Sequence, residues 1–421
     1  MAHRLSLCAL LLSSHLAVAR PGESTLLASP GGYPVPFLVG AQAYATAEAA
    51  SGGERRILLL ARPPGAPAAG PWLAAGVVAA DATPGVDLAN AQCLSLAADG
   101  AIVCAYRHHL PAAGGGMLYR VRATRSADNG SSWAPPVDVL TGSTGLWEPF
   151  LYAAPGGAPL RMLVSAELTN GGEQDIVQVA SSDGGRTWGP ITARVHTPGS
   201  RNGMAGVAQL WDGSLLMVLE GFWGRGGWGA FTVNSVRSFD GGESWGQPAL
   251  LHAPPDGCDA GAPKVGQCGL DQHTNTWRIT VVFMTNAPAN GSACAPGARA
   301  AWPSGAALGV TAGFLDASNT SAPLNMTAAP VGYVPIDAPS ALWPAVFMDI
   351  MSEGGAADER GSGGPPLERD VLRVAYQAAD GAAYLTRGDL CINAVQGAYG
   401  GSEGGRAAAG AGTAGRAEAR G

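Results

Sequence analysis

The chain is poor in charge. Only 14% of its 421 residues are Asp, Glu, Lys or Arg, and the net charge is −7. That balance offers no electrostatic pull on a nucleic-acid backbone, so no nucleic-acid partner is expected. Long apolar runs are missing beyond the N-terminus, so no membrane span is expected. No stretch repeats apolar residues at helical spacing over several turns, and almost no helix is predicted. Three chemical signatures are absent as well. Gly-x-Ser-x-Gly occurs only at Gly242–Gly246 and Gly400–Gly404, neither of them between a strand and a helix, so there is no nucleophile elbow for a Ser/His/Asp hydrolase. No glycine cluster opens a helix, which removes a phosphate-binding loop. Neither Cys-x-x-Cys nor a His pair at ligand spacing occurs, which argues against zinc. No metal or other cofactor is expected, although a structural calcium stays open.

What is abundant is glycine, 62 residues, with 31 prolines. These punctuate short strand-like runs. Ala91–Ala97 and Ala101–Arg107 flank Asp99-Gly100; Val207–Leu210 and Ser214–Glu220 flank Asp212-Gly213; Val371–Gln377 and Ala382–Arg387 flank Asp380-Gly381. Leu160–Glu167 and Trp277–Met284 are further runs. Such pairs around Asp-Gly read as hairpins.

One pattern occurs three times, as Ser126–Trp133, Ser181–Trp188 and Ser238–Trp245. Each copy reads Ser-x-Asp-x-Gly-x-Ser/Thr-Trp, and the copies start 55 and then 57 residues apart. Asp accepts from the amides of its own turn, Gly supplies a positive φ, and Trp packs the hairpin onto the strands beneath. A hairpin repeating near fifty residues fits a blade of four strands. The boxes are expected to hold blades together, away from any active site. The predicted fold is therefore all-β, a six-bladed β-propeller of four-stranded antiparallel blades over residues 20–395. The last strand is expected to close the ring with the first segment, Tyr33–Ala43 and Arg56–Ala61. Gly354–Pro366 reads as an insertion and residues 396–421 as a disordered Gly/Ala-rich tail.

Met1 to Ala19 read as a secretory signal: His3 and Arg4, the apolar Leu5–Leu12, then Ala17-Val18-Ala19. A secreted, monomeric protein is expected. Six cysteines remain after the signal, an even number that suggests disulfides. Cys93 and Cys104 flank one turn and suit adjacent strands; Cys258, Cys268 and Cys294 crowd one loop region. The pairing stays open. Asn290, Asn319 and Asn325 head glycan sequons, as does Asn129 inside the first box.

Propeller sites are assembled at one end of the axis from several blades. Two carboxylates stand out. Glu148 lies in Gly145-Leu-Trp-Glu-Pro-Phe150, and Glu220 ends the run Leu216–Glu220 before Phe222 and Trp223. They are 72 residues apart, so they belong to different blades. A carboxyl among apolar groups has a raised pKa, as a general acid needs, and paired carboxylates with aromatic platforms suit glycoside cleavage. Glu167 and Glu173 are further candidates. Lesser ones are Asp87, Asn90, Arg107, His109, Asp175, Arg201, Asn202, Asp271 and Tyr376.

These boxes resemble those of the sialidase superfamily. More narrowly, the chain resembles secreted exo-α-1,5-L-arabinanases with a six-bladed propeller. The resemblance is carried by Asp87–Asn90, Ala105–His109, Gly145–Phe150, Asp175–Val177, Arg201–Ala208, Asp212–Glu220 and Ala341–Pro344. It implies a retaining hydrolase with Glu148 as acid/base and Glu220 as nucleophile, their order of roles open. It also implies substrate contacts from Asn90, Arg107, His109, Asp175 and Arg201, to which the candidate Tyr376 is added, and a polysaccharide or oligosaccharide substrate attacked from a chain end. Departures are His108-His109 where Asn-His is expected and Asn202 where Asp is common. A true sialidase would need an arginine cluster, and Tyr33-Pro34-Val35-Pro36 lacks the first Arg. An exo-sialidase and a non-catalytic glycan-binding propeller are the alternatives.

Overall fold

The computed structural model describes residues 24–386 with interruptions, the longest being 317–331, 334–340 and 353–367. The expected signal, the insertion, the tail and the sequons at Asn290, Asn319 and Asn325 fall outside the described residues.

The described elements are strands. After β1 (Ser24–Ala28), twenty strands form five sheets of four consecutive members. The first has β2 (Gly32–Val39), β3 (Gln42–Ser51), β4 (Glu54–Ala61) and β5 (Leu73–Asp81). The next has β6 (Asp87–Ser95), β7 (Ile102–Pro111), β8 (Met117–Ser126) and β9 (Val137–Gly142). Then come β10 (Leu146–Ala153), β11 (Leu160–Ala166), β12 (Asp175–Ser181) and β13 (Ala193–Val195). They are followed by β14 (Ser200–Gln209), β15 (Leu215–Trp223), β16 (Ala230–Ser238) and β17 (Ala249–His252). The fifth has β18 (Ala260–Asp271), β19 (Thr276–Thr285), β20 (Ala307–Asp316) and β21 (Gly332–Tyr333). The remaining strands, β22 (Ala341–Ser352), β23 (Glu368–Ala378) and β24 (Ala383–Thr386), take β1 as their fourth member, so a sixth four-stranded sheet is built from both ends of the chain. All these pairings are antiparallel.

First strands touch in cyclic order, β2 to β6, β10, β14, β18, β22 and back to β2. The architecture is an all-β propeller of four-stranded blades. The closing strand corrects the expectation. Tyr33–Ala43 and Arg56–Ala61 belong to the β2–β5 sheet, and the ring is closed by Ser24–Ala28 against β24.

The core lies between sheets rather than at one centre. Ile57 and Leu59 meet Ile102 and Tyr106; Val103 and Ala105 meet Met162 and Val164; Leu216 and Val218 meet Ile279 and Phe283. A strand sandwiched this way has both faces covered, which is why β11 is buried at every position. The boxes seal these seams. In each, the Gly amide donates 2.8 Å to the Ser hydroxyl, and the Asp accepts the amide four residues on. Gly130 shows why the residue must be glycine: its φ is +84°, and a Cβ would stand 2.1 Å from Leu59 of the preceding sheet. Trp133, Trp188 and Trp245 pack into the seam clusters, each shared with the preceding sheet. Cys93 and Cys104 are disulfide-bonded across β6 and β7, and Cys258 is joined to Cys294.

One irregularity recurs in every first strand. Register breaks at Gly32/Val35, Ala89/Gln92, Leu146/Pro149, Gly203/Gly206, Gly261/Lys264 and Leu342/Ala345. In five of these breaks a non-glycine residue takes positive φ: Tyr33, Asn90, Met204, Ala262 and Trp343. Bulges re-aim side chains. Here they bring Tyr33, Met204 and Ala262 into one cluster, with Trp343 packed on it, where several blades meet.

Candidate active site

Glu148 sits inside the break of β10, near the start of that strand. Glu220 lies near the end of β15 and pairs with Gly203, the residue before the break in β14. A first-strand start and a second-strand end share one end of a blade. The box turns, joining third strands to fourth, lie at the other end. An open recess of about 470 Å³ lies beside the boxes, lined by Arg125, Trp133 and Arg186. The two carboxylates are not in it; they lie at the opposite end.

The amide of Ala262 in the next blade donates to Glu220 Oε2 at 2.8 Å. Gly203 leaves the room: a Cβ there would be 3.1 Å from Glu220 Oε1 and 2.7 Å from Gln174 Nε2. Glu220 keeps a partly exposed edge. Burial nevertheless pushes its carboxyl up to about 7, and the charge of Glu148 adds to the rise. The Ala262 amide, Lys264 and Arg201 oppose it without cancelling it. Glu148 has a different neighbour, with Arg107 Nη1 3.9 Å from its Oε1.

Arg107 donates to Asp87 at 3.3 Å and lies over the Trp147 ring at 5.6 Å. His109 packs edge-on against Trp147 and holds the Leu146 carbonyl at 2.6 Å. Burial raises the Asp87 carboxyl, but His109 and Arg107 outweigh it, leaving a net fall. Arg201 donates to Glu167 at 2.7 Å and to Gln174 at 2.9 Å. Trp147 Nε1 also donates to Glu167 at 3.0 Å. Those bonds outweigh the burial that raises Glu167, so it sits below the usual range. Asn90 occupies the break of β6 with φ +53°, and its Oδ1 has no hydrogen-bond partner among the described residues. Glu148, Glu220, Arg107, His109, Asn90 and Arg201 are thus brought to one end of the axis.

Two expected contacts, Asp175 and Tyr376, and the lesser candidate Asn202 go elsewhere. Asp175 is buried in its own sheet and satisfied by Arg194 at 2.6 Å and His196 at 2.7 Å, both from β13 or its edge. Tyr376 is wholly buried in the seam between the β18–β21 and β22–β24 strands, its hydroxyl 3.0 Å from Ser24 of β1. It is a core residue of the closing sheet. Asn202 is buried, donating weakly to Val195 and Thr197. Glu173 caps the Gly199 amide. His108, next to His109, points to the other face of β7, where it meets Asp81 and Arg120. The side chain of Asp271 lies outside the described residues.

Sequence reasoning missed three residues. Glu48 accepts the Asn90 amide at 2.6 Å, as Glu220 does that of Ala262, and its carboxyl is raised by burial. Burial holds the Tyr33 phenol well above its usual range, with Glu148 and Glu48 adding to it. Lys264 is buried against the Met204 and Ala205 carbonyls. Glu48 and Lys264 sit beside neither a turn nor an aromatic pair, the features that singled out the others. A cavity of about 160 Å³ is lined by Tyr33, Gln92, Glu148, Phe150, Lys264 and small apolar residues. Among the described residues no group of His, Cys, Asp and Glu is arranged to hold a metal ion.

No family model matches the sequence, and no curated protein matches it. Solved structures do share the fold. A protein of unknown function from Dyadobacter fermentans aligns over 87% of this chain and 98% of its own, at 14% identity and TM-score 0.58. The α-L-arabinanase of Penicillium chrysogenum, solved with arabinobiose, aligns over 87% and 96% at 16% identity and TM-score 0.55. The intramolecular trans-sialidase of Ruminococcus gnavus aligns over 84% and 93% at 10% identity and TM-score 0.54. The fold of this chain is therefore the sialidase-like propeller that arabinanases and trans-sialidases share.

Proposed function

We propose that the protein is a secreted glycoside hydrolase acting on an α-L-arabinan-type or related neutral polysaccharide from a chain end, with retention of configuration. The observation that carries this reading is a carboxylate pair at one end of the axis in two unlike environments. Glu220 is held protonated to about pH 7 by burial, which suits an acid/base. Glu148 has a guanidinium at 3.9 Å, the partner an ionised nucleophile needs. The electrostatics thus favour the reverse of the order implied by resemblance.

In the proposed reaction Glu220 gives its proton to the glycosidic oxygen as the Glu148 carboxylate attacks the anomeric carbon. The bond to the leaving group breaks and an ester to Glu148 forms. Glu220, now a base, takes a proton from water, and the hydroxide replaces Glu148 on the sugar. Neutral substrate is supported by Arg107 and Arg201, which are each engaged by a carboxylate of the protein rather than left to clamp one from a sialic acid. The unsatisfied Asn90 Oδ1 suits a sugar hydroxyl donor. The disulfides suit an oxidising compartment. The solved Penicillium arabinanase holds arabinobiose, which makes arabinan the first polymer to try.

The test is hydrolysis of debranched arabinan and a panel of aryl glycosides by the wild type, Glu148→Gly and Glu220→Gly, with and without azide. Azide should rescue Glu148→Gly to a glycosyl azide of inverted configuration and Glu220→Gly to one of retained configuration. The opposite stereochemistry would exchange the roles. Full activity in both variants would refute the site.

A further inference from the structure

Lys264 is a buried cation that the reaction as written does not use. It lies at the edge of the break in β18, and its Nζ crosses to the break of β14, donating 3.0 Å to the Met204 carbonyl and 3.2 Å to that of Ala205. Room for its stem is cut into the neighbouring strand: a Cβ on Gly206 would stand 3.0 Å from Lys264 Cδ. The ammonium lies 5.8 Å from the Phe150 ring and lines the same cavity as Glu148. Two of its three N–H bonds are taken by carbonyls. Both Glu148 and Glu220 act on its charge. Burying an ammonium is costly, and two neutral carbonyls are a weak return for it. The two carboxylates offset part of that cost, though burial still prevails.

We infer that Lys264 is the positioning residue of the carboxylate pair, a cation shared by Glu148 and Glu220 that follows the negative charge from one to the other during turnover. This inference rests on the proposed hydrolase reading. In the resting enzyme the anion is Glu148. Once Glu148 is esterified and Glu220 has given up its proton, the anion is Glu220. Arg107 can serve only the first, because it is tied to Asp87 and reaches Glu148. Lys264 faces both. Its hydrogen bonds also fix the β14 break beside Gly203, the partner of Glu220 in the sheet. The other ionisable groups that bear on the pair are Arg201 on β14, Tyr33 on β2 and Arg107 on β7, while Glu48 on β3 acts on Tyr33. Burial lowers Lys264 to about 8, so its charge persists through neutral pH.

The experiment compares wild type, Lys264→Met and Lys264→Arg. Removing the cation should raise the Glu220 carboxyl, moving the alkaline limb of kcat/KM upward by about one pH unit. It should also lower kcat, because the Glu220 anion loses its partner. Lys264→Arg should restore the limb. A purely structural lysine would lower activity at every pH and leave the limb in place in both variants, and that result would overturn the inference. Carboxyl resonances of 13C-Glu-labelled protein, with Glu220 assigned by its loss in Glu220→Gln, give the same answer without turnover. An unmoved Glu220 titration in folded Lys264→Met would equally overturn it. Glu148→Gln and Glu220→Gln run beside these separate the two readings. Full turnover in both sinks the carboxylate-pair site on which the inference rests. Loss in both with an unmoved limb in Lys264→Met sinks only the lysine.

Discussion

Replacing Glu220 with Gln should make the protein relatively more stable as pH rises. Gln can still accept the Ala262 amide at the Oε2 position, so the local hydrogen bond survives. What changes is the proton. The Glu220 carboxyl is raised from 4.5 to about 7 in the folded protein. A group raised on folding contributes its stabilisation fully below the unfolded value and loses it as pH climbs through the folded value. The loss falls between about pH 4.5 and 7.5. At 1.36 kcal/mol per pKa unit, a rise of this size is worth about 3 kcal/mol. Wild type should lose that much against Glu220→Gln across this window, because every other titrating group is common to both and cancels. For a chain of this length the size scaling gives roughly 1–2 °C per kcal/mol, so the difference in Tm should move by ~3–6 °C. Calorimetry of both proteins at half-unit steps reads it directly. Parallel Tm curves across the window would refute the argument that burial holds this carboxyl protonated.

Other outcomes follow from single contacts. Gly203→Ala puts a Cβ against Gln174 and Glu220; it should cost about 1–3 kcal/mol in urea unfolding and lower kcat at least tenfold by displacing the acid/base. Deleting residues up to Ala28 removes β1 and leaves β24 as an open edge; the truncated chain should melt lower and self-associate in light scattering, whereas an unchanged Tm would show that the seam closes without it.

Much of the ring was legible because its devices are local. The box is complete within eight residues, and Asp99-Gly100 and Asp212-Gly213 announce their hairpins where the strands indeed turn. Glu148 and Glu220 were visible because aromatics and strand ends flank them. The closing strand was misread, since Ser24–Ala28 carries no turn signal and its partner is more than 350 residues away. Asp175 looked like a site carboxylate, but Arg194 and His196 that neutralise it arrive from across the sheet. Glu48 and Lys264 were hidden for the same reason, as their meaning depends on a neighbouring blade. The register breaks were illegible because Tyr33, Asn90, Met204, Ala262 and Trp343 share no side-chain chemistry, only a backbone dihedral.

Those breaks turn the axis into a set of interchangeable addresses. Opposite the residue before each break stand, in order, Glu48, Arg107, Ala166, Glu220, Met284 and Gln377. The register step is the same at all six; the chemistry is only the spelling. New specificities can therefore arise on this scaffold by exchanging side chains among equivalent stations, with no loop to rebuild and no strand to move. Ala166 and Met284, the two stations without a polar group, are the places where such a change would begin.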